Sequence, residues 1–134
     1  MLPFHLIHLM AETTQPMILL RADAPHFTIV AYNEAYQQAT NTHHRNILGW
    51  TLWEAFDPER AGGGEGVLLE ALLQAMETND AFTTLPFHYN IPVVQDQIWE
   101  ECWWQLDVVP VADEGAGPGY LLITTHKLND RVGE

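Results

Sequence analysis

The chain has 134 residues, 47% of them hydrophobic, with five Trp, five Phe and four Tyr. That length gives one domain with a real core and no room for a second, and that aromatic content excludes a disordered chain. Five Lys and Arg against 18 Asp and Glu leave a formal net charge of −13, a surface that repels phosphate backbones and anionic lipid, so neither nucleic acid nor membrane is expected as a partner.

The opening stretch, MLPFHLIHLM, carries no Lys or Arg, and Glu12 ends the apolar run well short of the roughly 18 residues a membrane span needs, which argues against both targeting and insertion. Within it Leu2, Leu6, Leu9 and Met10 recur on one helical face and predict a short amphipathic helix. Such a helix is too short to persist alone, so its stripe must lie on the domain or on a partner copy. Residues 13–16 then form a linker. Residues 17–22 (MILLRA) and 27–32 (FTIVAY) predict a hairpin about a turn at Asp23, Ala24 and Pro25. Asn33 stands where a helix over 34–39 begins and is an N-cap candidate. From 40 to 56 the pattern predicts short helices, including a turn through 45–48 stopped by Gly49. After a loop holding Gly62, Gly63, Gly64 and Gly66, the spacing of Leu68, Leu69, Leu72, Leu73 and Met76 predicts the one long helix, ending at Thr78 and Asn79.

Three extended stretches close the chain. In FTTLPFHYNI, Leu85, Phe87, Tyr89 and Ile91 alternate with polar residues and are expected to face inward, with Pro86 marking an edge strand. Next, Cys102, Trp104, Leu106 and Val108 alternate with Glu101, Trp103, Gln105 and Asp107, which defines an inner face. A turn at 113–119 (DEGAGPG) leads into YLLITTH, apolar on both faces as in a central strand. The order is β, β, helices, β, β, β, an α+β domain.

That order resembles the layout of the PAS family, and the likeness reaches individual residues. FTIVAYNEAYQQAT followed by ILGWTLWEAF is similar to the PAS pattern of a strand, an Asn-initiated helix, a Leu-Gly turn and a short apolar helix. WWQLDVVPVADEGAGPGYLLITTHKL resembles the closing hairpin of the same family. The resemblance implies a five-stranded antiparallel sheet with short helices on one face. It divides the chain into an N-terminal amphipathic cap helix and linker (1–15), the PAS domain (16–128) and a tail (129–134). It also implies a sensory or dimerisation module of the kind found in bacterial histidine kinases, diguanylate cyclases and regulators, with a kinase or cyclase output domain as partner. One departure is that Lys127, Leu128 and Asn129 stand where such domains often carry Asp-x-Thr, which puts coupling to a C-terminal output domain in doubt.

Where the family places a ligand, between sheet and helices, the matching residues are Tyr36, Trp53, Phe56, Leu72, Phe87, Tyr89, Trp104 and Leu106. They either line a pocket for a small apolar ligand or form a packed core without one; since no charge converges among them, the packed core is the preferred reading. No cofactor is expected. The long helix carries no His for a haem iron, and Cys102 lies on a late strand rather than in the motif of flavin photoreceptors. A single Cys forms no internal disulfide or Cys-based metal cluster, and cytoplasm is the default location. No metal site is expected either: His43 and His44 are adjacent and diverge, and His5 and His8 read as helix positions with no carboxylate beside them at helical spacing. The GGGEG run lacks the Lys and Ser or Thr of a phosphate cradle and reads as a flexible loop.

Trp99 and Trp103 fall on the polar phase of their strand, so either a neighbouring side chain partly buries them or the outer sheet face receives the N-terminal helix, from the same chain or a second copy. The second reading predicts a homodimer through Leu2, Leu6, Leu9, Met10, Trp99 and Trp103. The chain is read as a non-enzyme, since it holds no hydrolase motif. Two rivals are a small pocket enzyme of the ketosteroid-isomerase kind, for which Asp107 and Tyr89 are the tempting pair, and an interaction domain without a pocket.

Overall fold

The structure, a computed structural model, describes residues 3–43, 45–60, 62–94, 98–112 and 118–128. The expectations that fall on Leu2, His44, Asn129, the turn at 113–117 and the tail from 129 lie outside them.

A helix α1 (Phe4–Glu12) precedes strands β1 (Met17–Arg21) and β2 (Ile29–Tyr32). Helices α2 (Glu34–Thr40), α3 (Leu52–Ala55) and α4 (Glu65–Thr78) follow, with a 3-10 turn at Pro58–Arg60 before α4. Then come β3 (Phe82–Thr83), β4 (Phe87–His88), β5 (Ile91–Val94), β6 (Ile98–Glu100), β7 (Trp103–Ala112) and β8 (Pro118–Lys127). The main sheet runs β2-β1-β8-β7-β3, with β4 also on β7, while β5 and β6 pair with each other; every pairing is antiparallel. β8 lies centrally between β1 and β7, as its two apolar faces predict.

Local chemistry sets the element ends. Asn33 caps α2, its Oδ1 accepting from the Tyr36 amide at 2.9 Å. α3 opens on a capping box: Thr51 Oγ1 accepts from the Glu54 amide and Glu54 accepts from the Thr51 amide. α4 starts after Gly64 at φ +90°, where a Cβ would collide with the His88 carbonyl. The free edge of β2 is closed by residues 49–51: Gly49 donates to the Ile29 carbonyl at 2.8 Å, and Ile29 donates to that of Trp50 at 2.9 Å. Residues 45–47 are a bend and irregular chain rather than the expected helical turn, and a turn at 48–49 leads to that edge.

The stretch 82–91 is not one strand but three short pieces. Thr84, not Leu85, occupies the inner position: its amide donates to the Leu106 carbonyl and its hydroxyl accepts from the Leu106 amide. Leu85 is thereby turned out and is 81% exposed, whereas Phe87, Tyr89 and Ile91 are buried as expected. Cys102, Trp104, Leu106 and Val108 are all buried.

The inner face packs beneath α2, α3 and α4 through a cluster that includes Ile18, Ile29, Leu52, Leu72, Val108 and Leu121. On the outer face α1 lies against its own chain, with Met10 buried among Leu19, Ala31 and Tyr120, and Leu6 and Ile7 partly buried beside them. Leu9, expected on this stripe, is 48% exposed, because the seated face of the helix runs through Ile7 and Met10 instead. His8 also has a carboxylate at helical spacing after all, with Glu12 3.4 Å away on the exposed side.

Candidate ligand cavity

Between sheet and helices lies a cavity of about 60 Å³. β1, β7 and β8 supply its floor through Ile18, Trp104, Leu106, Ile123 and Thr125, and the helical side supplies Tyr36, Thr40, Leu52, Phe56 and Leu68. Phe87, Tyr89 and Ile91 close the remaining wall. This volume is several times the roughly 10–15 Å³ that one water requires and well below the ~300 Å³ of the smallest sites for drug-sized ligands. A molecule of a few heavy atoms fits it.

Six of the eight residues marked in the sequence line this cavity: Tyr36, Phe56, Phe87, Tyr89, Trp104 and Leu106. Trp53 does not, because its indole Nε1 donates to the Pro25 carbonyl at 2.7 Å and its ring meets Phe27 edge-on at 6.4 Å. Leu72, fully buried, belongs to the packed core beside the cavity. Sequence reasoning missed the other seven wall residues, Ile18, Thr40, Leu52, Leu68, Ile91, Ile123 and Thr125. The phase of β8 that buries Leu121 and Ile123 continues to Thr125.

Most polar atoms in the wall are already bonded. The Tyr89 hydroxyl donates to the Phe56 carbonyl at 2.7 Å, and the Trp104 indole donates to the Tyr89 carbonyl at 2.7 Å. Thr40 Oγ1 donates to the Tyr36 carbonyl. Tyr36 is 6% exposed with its ring edge-on to Phe56 at 6.2 Å, and among the described residues its hydroxyl has no hydrogen-bond partner. Burial, and secondarily the neighbouring Tyr89, pushes the Tyr36 phenol well above the usual tyrosine range, so it is a neutral donor throughout the physiological range. Burial does the same to Tyr89, helped by Glu65 and Asp57. Among the described residues no carboxylate, His, Lys, Arg or Cys lines the cavity. The site can hold a neutral molecule and offer it one phenolic hydrogen bond.

The outer face is built differently. Asp107 Oδ2 lies 2.9 Å from His126 Nε2, and Thr83 Oγ1 donates to Asp107 Oδ1 at 2.7 Å. The His126 contact first, and Thr83 second, hold the Asp107 carboxyl below its ordinary value. Asp107 and Tyr89, the pair an isomerase would need, therefore sit on opposite faces of the sheet. Trp103 is half-buried with its ring 5.3 Å from that of His88, and Trp99 is part of β6. The residues packed with α1 include neither tryptophan. Among the described residues no three His, Cys, Asp or Glu side chains gather as a metal site, and no helix is long and apolar enough to cross a membrane.

The family profile described as PAS fold matches residues 13–133, and the chain belongs to that family. In three dimensions it is similar to a variant of RsLOV (TM-score 0.72, 17% identity, covering 98% of this chain and 69% of that one). It is also similar to the PAS domain of a protein from Colwellia psychrerythraea (TM-score 0.70, 11% identity, 96% and 98% covered). A third likeness is to the PAS-B domain of Drosophila melanogaster Cycle with bound ethylene glycol (TM-score 0.62, 12% identity, 84% and 98% covered). A sequence comparison with curated proteins finds no match. The fold is thus the PAS fold, with an antiparallel sheet and few helices.

Proposed function

We propose that this domain is the sensory module of a cytoplasmic bacterial signalling protein, that it binds a small neutral molecule in the cavity beneath α2 and α3, and that it acts by non-covalent contacts rather than catalysis. The observation that carries the reading is a largely apolar cavity whose wall includes Tyr36, a buried residue with a neutral phenol that makes no hydrogen bond among the described residues. A ligand oxygen within reach of that phenol gains a hydrogen bond from it. Charged ligands are excluded because no counter-charge lines the wall. That a distant PAS domain holds ethylene glycol is consistent with occupants of this size.

The test is a thermal melt with 1-propanol, ethylene glycol, propionate and propylamine. The neutral pair should raise the melting temperature, the charged pair should not, and Tyr36→Phe should remove the gain. A flat response to all four overturns the ligand reading.

Signal output is proposed to pass through a second copy and through a kinase or cyclase domain. Phe4 and Leu9, 65% and 48% exposed on α1, offer the apolar surface for that copy. Sedimentation of the chain beside Leu9→Glu checks it: a dimer that becomes a monomer supports the assembly, and a monomer in both removes it.

A further inference from the structure

Asn33 is a buried polar side chain with four hydrogen bonds to the main chain. It is 5% exposed, and both hydrogens and both lone pairs of its amide are engaged. Nδ2 donates to the carbonyls of Met10 (2.9 Å) and Gln15 (2.8 Å), while Oδ1 accepts from the amides of Met17 (3.0 Å) and Tyr36 (2.9 Å). One planar group therefore joins the last turn of α1, the linker, the first residue of β1 and the first turn of α2.

Besides these bonds α1 is held by the packing of Met10, Leu6 and Ile7 on the outer face. It has nine residues, no side-chain N-cap, no acid in its first turn and no base in its last, and Met10 is its one buried residue. A helix of that length does not persist in water unaided. Tyr36, whose amide is bonded to Asn33, lines the cavity on the opposite side of the sheet.

We propose that Asn33 is a latch that couples occupancy of the cavity to the docking of α1 on the outer face. This rests on the ligand reading given above. Because the amide is rigid, a shift of the Tyr36 amide changes the angle at which Nδ2 meets the Met10 and Gln15 carbonyls. A ligand bonded to the Tyr36 hydroxyl fixes that residue and the first turn of α2, and so holds α1 more firmly. Linkage then requires the reverse: loosening α1 weakens ligand binding by the same factor.

Hydrogen exchange of α1 amides in the full chain tests the latch without any ligand. Asn33→Asp keeps the two acceptor bonds that cap α2 and hold β1, and removes the two donor bonds to Met10 and Gln15. It should speed α1 exchange roughly tenfold while β7 and β8 stay protected. Tyr36→Leu, which alters only a cavity wall, should speed α1 exchange in the same direction. Met10→Ala serves as the reference for an undocked helix. Unchanged α1 exchange in Asn33→Asp overturns the latch, and unchanged α1 exchange in Tyr36→Leu overturns its coupling to the cavity. With 1-propanol present, wild-type α1 should exchange more slowly and Asn33→Asp should not respond. A melting temperature raised by 1-propanol with no change in α1 exchange sinks the coupling and leaves ligand binding standing, whereas a flat melting temperature sinks ligand binding and leaves the latch to be judged on the two variants.

Discussion

The two faces of the sheet are held by different forces. Beneath α2, α3 and α4 the inner face is one continuous apolar cluster reaching from Ile18 to Ile123, in which Leu72, Leu121 and Val108 are fully buried. The outer face has a small cluster of four buried residues, Met10 of α1 and Leu19, Ala31 and Tyr120 beneath it, and elsewhere a polar arrangement of Thr83, Asp107 and His126. The lesson is that the inner face sets global stability, because apolar burial there is cooperative. The outer face sets only whether one short helix is seated, and hydrogen bonds from Asn33 carry much of that seating.

Substitutions on each side should separate the two. Leu72→Ala leaves a void in the inner cluster and should lower the unfolding free energy by about 3 kcal/mol, with helices and strands melting together in urea. A two-step melt would break the view of the inner side as a single unit. Gly64→Ala comes next, at about 2 kcal/mol, since its backbone is at φ +90° and the new Cβ meets the His88 carbonyl. Gly66→Ala, inside α4 with open space around it, is the matched control and should be neutral or mildly stabilising in the same thermal melt. Met10→Ala should cost only about 1 kcal/mol globally, because α1 can detach without opening the sheet, yet it should expose the α1 amides to exchange. A loss as large as that of Leu72→Ala would erase the distinction.

The smallest effect belongs to Asp107. Its pKa is depressed, so its contribution is present above the unfolded value of 3.8 and is lost as pH falls through the lower folded value. The side chain is 42% exposed, which limits the gain to below about 0.5 kcal/mol. Asp107→Asn should accordingly lower stability slightly at pH 7 and flatten its decline in acid, as followed by urea midpoints.

What could be read in advance follows the same division. The alternation through Cys102, Trp104, Leu106 and Val108 was legible because that strand is paired along its length and the helices cover one side. The stretch around Leu85 misled because a hydroxyl, that of Thr84, replaced a backbone group in the ladder, and no hydrophobic pattern encodes that substitution. Asn33 was legible as a cap, since its bond to Tyr36 is local in sequence. Its bonds to Met10 and Gln15 reach back 23 and 18 residues and exist only once the sheet has formed. Six of the thirteen wall residues were named where the family resemblance places a ligand, and Trp53 fell outside the wall because a backbone carbonyl drew its indole away.

The closure of β2 by residues 49–51 reaches beyond the domain itself. At the opposite border the strand is interrupted at Pro86 between two short pieces. Neither margin offers an incoming chain a continuous run of main-chain donors and acceptors. Copies of this domain can meet flank to flank or through α1, but they are denied the strand-by-strand growth that leads to fibres.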